Sequence, residues 1–327
     1  VFEWLDHLGL DARSETYLGG ASAGLGALRS DMRGVLAAER RLRRLGRDVA
    51  DSTVLLSRNA SPLSRGGIES SLLRASAHGV YDFDDALFAD PARGARGLFA
   101  KSHIWKRAVD SADVVIAGND YLADAASDHA SDVRVVPSCV EPADYLVKSD
   151  HRHEGRPPRA VWLGSPSTEK YLLLVADSLL REHARSGLTL RVVSRGRAPL
   201  GQLDPMVERI DWAAESFAAD MIDGEFGIMP LPDDPWTRGK CAYKLLQYGA
   251  AGLPVIGSPV GASAEALGAL SGAAADGEEA WSASLAALVD ADVDGRSRMG
   301  AQARAGVEEN YSFRAWAGTW RGAVLSP

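Results

Sequence analysis

Short apolar runs recur along this chain at intervals of about one helix, and that alternation limits the folds open to it. "TVLLS" (53–57), "GVYDF" (79–83), "DVVIAG" (113–118) and "VRVVP" (133–137) are separated by helical stretches such as "GIESSLLRASA" and "NDYLADAASDHA". After a polar segment, "VKSDHRHEGRPPR" (147–159), the pattern restarts: "AVWLG" (160–164), "LTLRVVS" (188–194), "VERIDW" (207–212), "FGIMPL" (226–231) and "LPVIGS" (253–258). Buried strands alternating with helices build parallel βαβ units. Two such series, joined by a Pro-Pro segment that suits a linker, predict two open α/β sheets. The length of 327 residues agrees, since a domain takes roughly 100 to 200.

The flanks read as helices. "VFEWLDHLGLDARSETYLGG" opens the chain with helical spacing of Val1, Phe2, Trp4, Leu5 and Leu8, where an α/β domain ordinarily begins with a strand; a preceding strand and turn are therefore expected to be missing, and a domain that starts on a helix is the alternative. "GVLAAERRLRRLG" (34–46) is a helix with an arginine-rich outer face, read as a solvated surface. Beyond residue 277 three helices follow, and the last carries Trp316 and Trp320 four residues apart, a stripe that suits packing against another domain.

A net charge of −8 disfavours nonspecific nucleic-acid binding, which needs many cations facing phosphates. Cys139 and Cys241 are too few for a disulfide framework and lack zinc spacing. A reducing cytoplasm is the expected setting. No apolar run approaches the roughly 18 residues of a membrane span. The glycine loop "GGASAGLG" (19–26) lacks the G-x-G-x-x-G order, and no Walker A or H-E-x-x-H motif occurs.

In open parallel sheets ligands bind beyond the carboxyl ends of the strands, which directs attention to the loops there. "PLPDDPWTRGK" follows the strand at 226–231 and leads into a helix expected over about 239–251, with Thr237 as its N-cap and Gly252 ending it. A first helical turn has unpaired N–H groups and positive partial charge, so it can receive an anion. Lys240 is expected in that turn, Lys244 one turn further on the same face, and Arg238 just before both. The alternative is a set of surface charges paired with Asp233, Asp234 or Glu215. A second turn, "GSPSTEK" (164–170), offers Gly164 for close approach, hydroxyls at Ser165, Ser167 and Thr168, and Lys170 in its first helical turn. In "YDFDDALF", Asp82, Asp84 and Asp85 end a strand of the first half. They are candidates for sugar hydroxyls or a cation, unless Asp85 merely caps the next helix.

"WLGSPSTEKYL", "GIMPLPDDPWTRGKCAYKLLQYGAAGLPVIGSPVG" and "VYDFDDALF" together resemble the retaining glycosyltransferases of the GT-B fold, specifically family 4. The resemblance runs from about residue 50 to the end and is most specific over 226–261. It implies two Rossmann-like doubly wound domains facing a cleft: an acceptor-binding domain over 1–150, a nucleotide-sugar domain over 157–310, and a C-terminal helix (311–327) crossing back to the first. Carried over by position, Lys170 falls on the lysine that contacts the donor diphosphate, while Ser165 stands near where many members have arginine. Lys240 and Arg238 would supply the charge. Two glutamates typical of the family fall at Gly239 and Gln247. Gln247 can still hydrogen-bond ribose, but Gly239 has no side chain to reach the transferred sugar, which leaves Asp233 or Asp234. Asp84 stands where many members have a histidine facing the sugar.

The implied activity is transfer of a sugar from a UDP- or GDP-sugar to a small-molecule or glycan acceptor, with retention and without a metal or other cofactor. Lys170, Lys240, Arg238 and helix N-termini would stabilise the departing diphosphate. Trp212, near a strand end, is a candidate to flank the base or a core residue. The loop "RNASPLSRGG" (58–67) is a candidate acceptor loop. Alanine, arginine and glycine richness suits a bacterial gene in specialised-metabolite or cell-surface glycan synthesis, with a homodimer left open. Two rival readings remain: an epimerase or coupling enzyme on the same fold, or an inactive partner subunit, which the absence of both glutamates favours.

Overall fold

The computed structural model describes residues 1–19, 30–90, 100–152 and 155–325, so most of the glycine loop at 19–26 and His153 lie outside the described residues. The chain divides into two compact units, one of Val1–Pro137 with Trp316–Pro327 and the other of Ser138–Ala315.

In the first unit, strands β1 (Thr53–Ser57), β2 (His78–Phe83), β3 (Val114–Ala117) and β4 (Val133–Val135) form a parallel sheet in the order β1-β2-β3-β4. The register pairs Leu56 with Tyr81 and Asp82 with Ile116, which brings the carboxyl ends of β1 and β2 side by side. The chain does open on a helix, Phe2–Leu8. Its Trp4 stacks on Trp320 of the last helix, Phe313–Val324, with centroids 5.3 Å apart and an interplanar angle of 10°. His78 Nε2 also donates to the Ala323 carbonyl at 2.9 Å.

The second unit holds β5 (Arg159–Leu163), β6 (Thr189–Val193), β7 (Val207–Ile210), β8 (Phe226–Met229), β9 (Val255–Gly257) and a two-residue edge strand, β10 (Ala273–Ala274), that the apolar pattern missed. All six are parallel, in the order β10-β9-β8-β5-β6-β7. Counted from β5, this is the 3-2-1-4-5-6 order of dinucleotide-binding sheets, with the topological switch between β5 and β8. Helices cover both faces: Val161 and Leu163 of β5 point into one core with Leu245 and Tyr248, and Ala160 and Trp162 into the other with Leu172 and Leu179. Such two-sided burial explains why the strands read as continuous apolar runs. The polar segment from 147 is anchored within this unit: Lys148 Nζ donates to the Ile222 carbonyl at 2.9 Å, and buried Arg296 donates to the His151 carbonyl at 2.9 Å.

Candidate functional site

β5 and β8 pair only at their bases, Ala160 with Phe226 and Val161 with Gly227, and then part. Tyr248 fills the gap. Its hydroxyl accepts from the Leu163 amide at 2.7 Å and donates to the Ile228 carbonyl at 3.4 Å. Gly227 leaves room for that ring, since a Cβ there would lie 2.3 Å from it. The switch point is thus held open, and the turns after β5 and β8 flank it.

The turn after β5 starts at Gly164, where a Cβ would fall 2.5 Å from the Trp162 ring and 2.7 Å from Lys244 Cε. Only glycine admits both neighbours. Ser165 Oγ meets Ser167 Oγ at 3.0 Å and Thr168 Oγ1 at 3.3 Å, a cluster of exposed hydroxyls. The chain then enters a 3₁₀ helix, Pro166–Val175, with Lys170 as its fifth residue rather than in its first turn. Lys170 Nζ is 5.5 Å from the Tyr171 ring centre. Burial raises the pKa of the Tyr171 phenol and so does the charge of Asp234, which belongs to the other turn.

The turn after β8 differs from the single helix expected over 239–251. Asp234, not Thr237, is the N-cap, and it caps a separate one-turn helix, Pro235–Arg238. The Thr237 amide donates to Asp234 Oδ1 at 2.8 Å and Thr237 Oγ1 accepts from the Asp234 amide at 3.1 Å, a reciprocal capping box. The signal was in the sequence: Asp followed by Pro at the first helical position and Thr at the third. The second helix, Tyr243–Ala250, begins only after Ala242, whose φ of +55° breaks the run. Lys240 therefore sits in the connection and Lys244 in the first turn. Gly252, at φ +70°, follows the helix as expected.

These corrections change the roles of the charges. Arg238 pairs in a fork with Asp233, Nε to Oδ1 at 2.6 Å and Nη2 to Oδ2 at 2.9 Å, both exposed. The guanidinium holds the Asp233 carboxyl below its usual range. With Asp234 committed to its cap, both aspartates considered for the sugar already have protein partners. Gly261 (φ +52°) lets the next loop press on this one, because its Cβ would lie 2.2 Å from the Arg238 carbonyl oxygen. Lys240 Nζ lies 5.0 Å from the Trp236 ring centre. Lys244 Nζ lies 5.3 Å from the Trp162 ring centre, and no carboxylate pairs with it among the described residues. Burial, then the charge of Lys240, pushes the Lys244 ammonium down to about 8. Gly239 takes ordinary helical angles, and Gln247 is buried on the helix.

At the ends of β6 and β7, Trp212 stacks on Phe217 at 6.0 Å, and the Arg195 guanidinium lies 5.1 Å from the Trp212 ring centre. Arg195 Nε also donates to the Trp212 carbonyl at 3.2 Å. Arg195 and Trp162 were not singled out from the sequence; each is an ordinary residue at a strand end until its neighbours are known.

Asp84 lies in the first unit. Arg58 grips it with two bonds of 2.6 and 2.8 Å and reaches Asp85 at 3.3 Å. Arg58 adopts φ +58°, and its carbonyl accepts from Tyr81 Oη at 2.8 Å. The 3₁₀ turn that follows, Leu87–Ala89, has Ala86 at its N-cap position, so Asp85 does not cap it. Burial and the neighbouring Asp84 push the Asp82 carboxyl up to about 6. Among the described residues no cluster of three or more His, Cys, Asp or Glu is placed to hold a metal, and no helix is long and apolar enough to cross a membrane.

No protein-family description and no curated protein matches the chain. Solved structures do. Sucrose-phosphate synthase from Thermosynechococcus elongatus aligns with a TM-score of 0.66 at 12% identity, over 91% of this chain and 78% of that one. HepE of Anabaena, solved in complex with UDP, gives 0.65 at 12% over 93% and 90%. WaaG, a glycosyltransferase of lipopolysaccharide biosynthesis, gives 0.62 at 13% over 95% and 86%. In its two parallel α/β sheets and over more than nine-tenths of its length, the chain shares the GT-B fold of these proteins.

Proposed function

We propose that this protein is a retaining glycosyltransferase that takes a sugar from a nucleoside-diphosphate donor, UDP- or GDP-linked, and passes it to a small-molecule or glycan acceptor without a metal. The observation that carries the reading is the convergence of Gly164, Lys240 and Lys244 at the switch point of a 3-2-1-4-5-6 sheet, with Lys244 lacking a carboxylate partner. An anion is what the Lys244 ammonium can use, and a diphosphate brings charge enough to reach Lys240 beside it as well. HepE carries UDP on the same fold, which is consistent with a nucleotide there. Lys170 and the hydroxyls of Ser165, Ser167 and Thr168 line the opposite turn.

In the proposed reaction the bond from the anomeric carbon to the diphosphate oxygen breaks as the acceptor oxygen bonds that carbon on the same face. The acceptor proton passes to the departing phosphate oxygen. No protein base is required, and the work falls to fixed cations aimed at the charge that grows on the leaving group. Lys240 and Lys244 are the inner pair, Lys170 the outer; Arg238 contributes by its field while it stays paired to Asp233. Trp212 with Arg195 is the candidate platform for the base. Asp84, held by Arg58, is assigned to the sugar or acceptor side.

Thermal unfolding with UDP, GDP, dTDP and ADP tests this. A ligand at 100 times its Kd adds about 2.7 kcal/mol, a shift of several degrees. One diphosphate should raise the melting temperature, and Lys240→Ala should lose most of the shift and of donor turnover while remaining folded. A folded Lys240→Ala variant with unchanged turnover would remove Lys240 from the site. No shift with any diphosphate would favour the partner-subunit reading.

A further inference from the structure

The helix Met32–Asp48 packs Val35, Ala38 and Leu42 into the first unit. At about 100° per residue, its opposite face runs Met32, Arg43, Leu36, Arg47, Arg40, Arg33, Arg44 within an arc of about 120°. Every one of these side chains is exposed, Met32 by 60% and Leu36 by 53%. None of the five arginines pairs with a carboxylate among the described residues. Arg41, about 60° beyond the edge of the arc, shows the contrast: it pairs with Glu15 at 3.1 Å and donates to the Thr16 carbonyl at 2.6 Å. Glu39 is turned away too, accepting from Tyr17 and Ser61.

A chain with net charge −8 thus gathers five unpaired cations on one helix face and sets two large apolar side chains among them. A merely solvated face has no use for the methionine and leucine, and a nucleic-acid backbone would reward only the arginines. Both kinds of residue are rewarded where anionic headgroups lie over hydrocarbon. We infer that the Met32–Asp48 face is a docking surface for an anionic lipid bilayer, on which the helix lies flat with Met32 and Leu36 entering the acyl boundary. The occupant is chosen by charge complementarity together with that apolar pair, and the inference is independent of the transferase reading.

The full chain would be sedimented with vesicles of phosphatidylcholine alone and of phosphatidylcholine with phosphatidylglycerol, at low and at roughly physiological salt. Pelleting is expected only with the anionic lipid and should weaken with salt. Each arginine near such a surface is worth about fivefold in partition, so Arg40→Ala with Arg44→Ala should reduce binding about 30-fold. Met32→Ser with Leu36→Ser should also reduce vesicle binding while leaving retention on heparin unchanged. All four positions are exposed, and an unaltered circular dichroism spectrum confirms that each variant is folded. No pelleting with phosphatidylglycerol, or pelleting that the arginine variant leaves unchanged, overturns the inference. So does a Met32/Leu36 variant that still binds vesicles fully, which would point to a soluble polyanion instead.

Discussion

The two sheets both end in loops rich in charge, and they treat that charge in opposite ways. At the ends of β1 and β2, Arg58 is gripped by Asp84 and Asp85 with Asp82 beside them, so the cluster is balanced toward the negative. At the ends of β5 and β8, Lys244 and Lys240 repel each other, and Lys244 lies against tryptophan with no carboxylate partner among the described residues. The difference follows from topology. The four described strands of the first sheet run in sequence, whereas the second sheet reverses between β5 and β8 and opens a crevice there. A lysine without a carboxylate beside a crevice is what an anionic ligand can use; a closed ion-pair network offers it less.

The largest test of the contrast is Lys244→Met. If this ammonium meets the departing diphosphate, turnover should fall about 10²- to 10³-fold, the usual cost of losing one preorganised donor, and the nucleotide-induced thermal shift should disappear. The free protein should gain stability. An ordinary lysine titrates near 10.4, and Lys244 titrates near 8 in the folded chain. Between those values the unfolded chain binds more protons, so stability rises with pH across that window, and below pH 8 the full penalty persists. Removing the charge relieves it, by on the order of 1 to 3 kcal/mol at pH 7. A variant that is less stable at pH 7 and still binds nucleotide would contradict both halves.

Gly164→Ala comes next. The added Cβ would meet buried Trp162 at 2.5 Å and Lys244 Cε at 2.7 Å, and of the two the lysine stem yields more readily. Overpacking of this kind costs about 1 to 3 kcal/mol. Calorimetry with UDP should show weakened binding, because the lysine is pushed aside even though no charge has been removed. An alanine variant with native affinity would mean that the turn does not shape the site.

How far the sequence discloses this arrangement differs between the sheets' strands and their loops. Nine apolar runs became β1 to β9 because two-sided burial leaves an uninterrupted apolar signature, while β10 has only Ala273 and Ala274 to show. Gly164 and the lysines were identifiable by residue type and by position after a strand. Their geometry was not: one helix over 239–251 was expected, and the capping box at Asp234 and the left-handed Ala242 split it in two. Arg238 looked equivalent to the lysines until the structure placed it in a surface pair with Asp233. Trp162 and Arg195 gave no signal, because their importance depends on residues 82 and 17 positions away.

A smaller effect separates ligand charge from protein charge. Binding a diphosphate stabilises the protonated Lys244 and raises its pKa above about 8. Affinity for UDP should therefore be full below pH 8 and fall as pH rises through that value, by at most about tenfold per pH unit. Lys244→Arg, which stays charged throughout, should flatten the profile. Identical pH profiles for the two proteins would assign the interaction to Lys240 alone.

The smallest change is expected from the balanced cluster. Arg58→Gly removes an exposed pair worth about 0 to 1 kcal/mol and relieves a non-glycine φ of +58°, worth about 1 kcal/mol or somewhat more. Net stability should move little, and the UDP-induced shift should not move, since no residue of the β5–β8 crevice is touched. What should change is its dependence on pH. Asp82 already titrates near 6 in the folded chain, above the unfolded value of about 3.9, so its contribution favours folding in acid and is lost as pH rises toward 6. Without the Arg58 charge that pKa rises further. Melting of the variant relative to the wild type should then worsen from pH 5 to pH 7. A parallel offset at all pH values would show that Arg58 does not face Asp82, and a lost UDP shift would show that the two sheets' carboxyl ends are not independent.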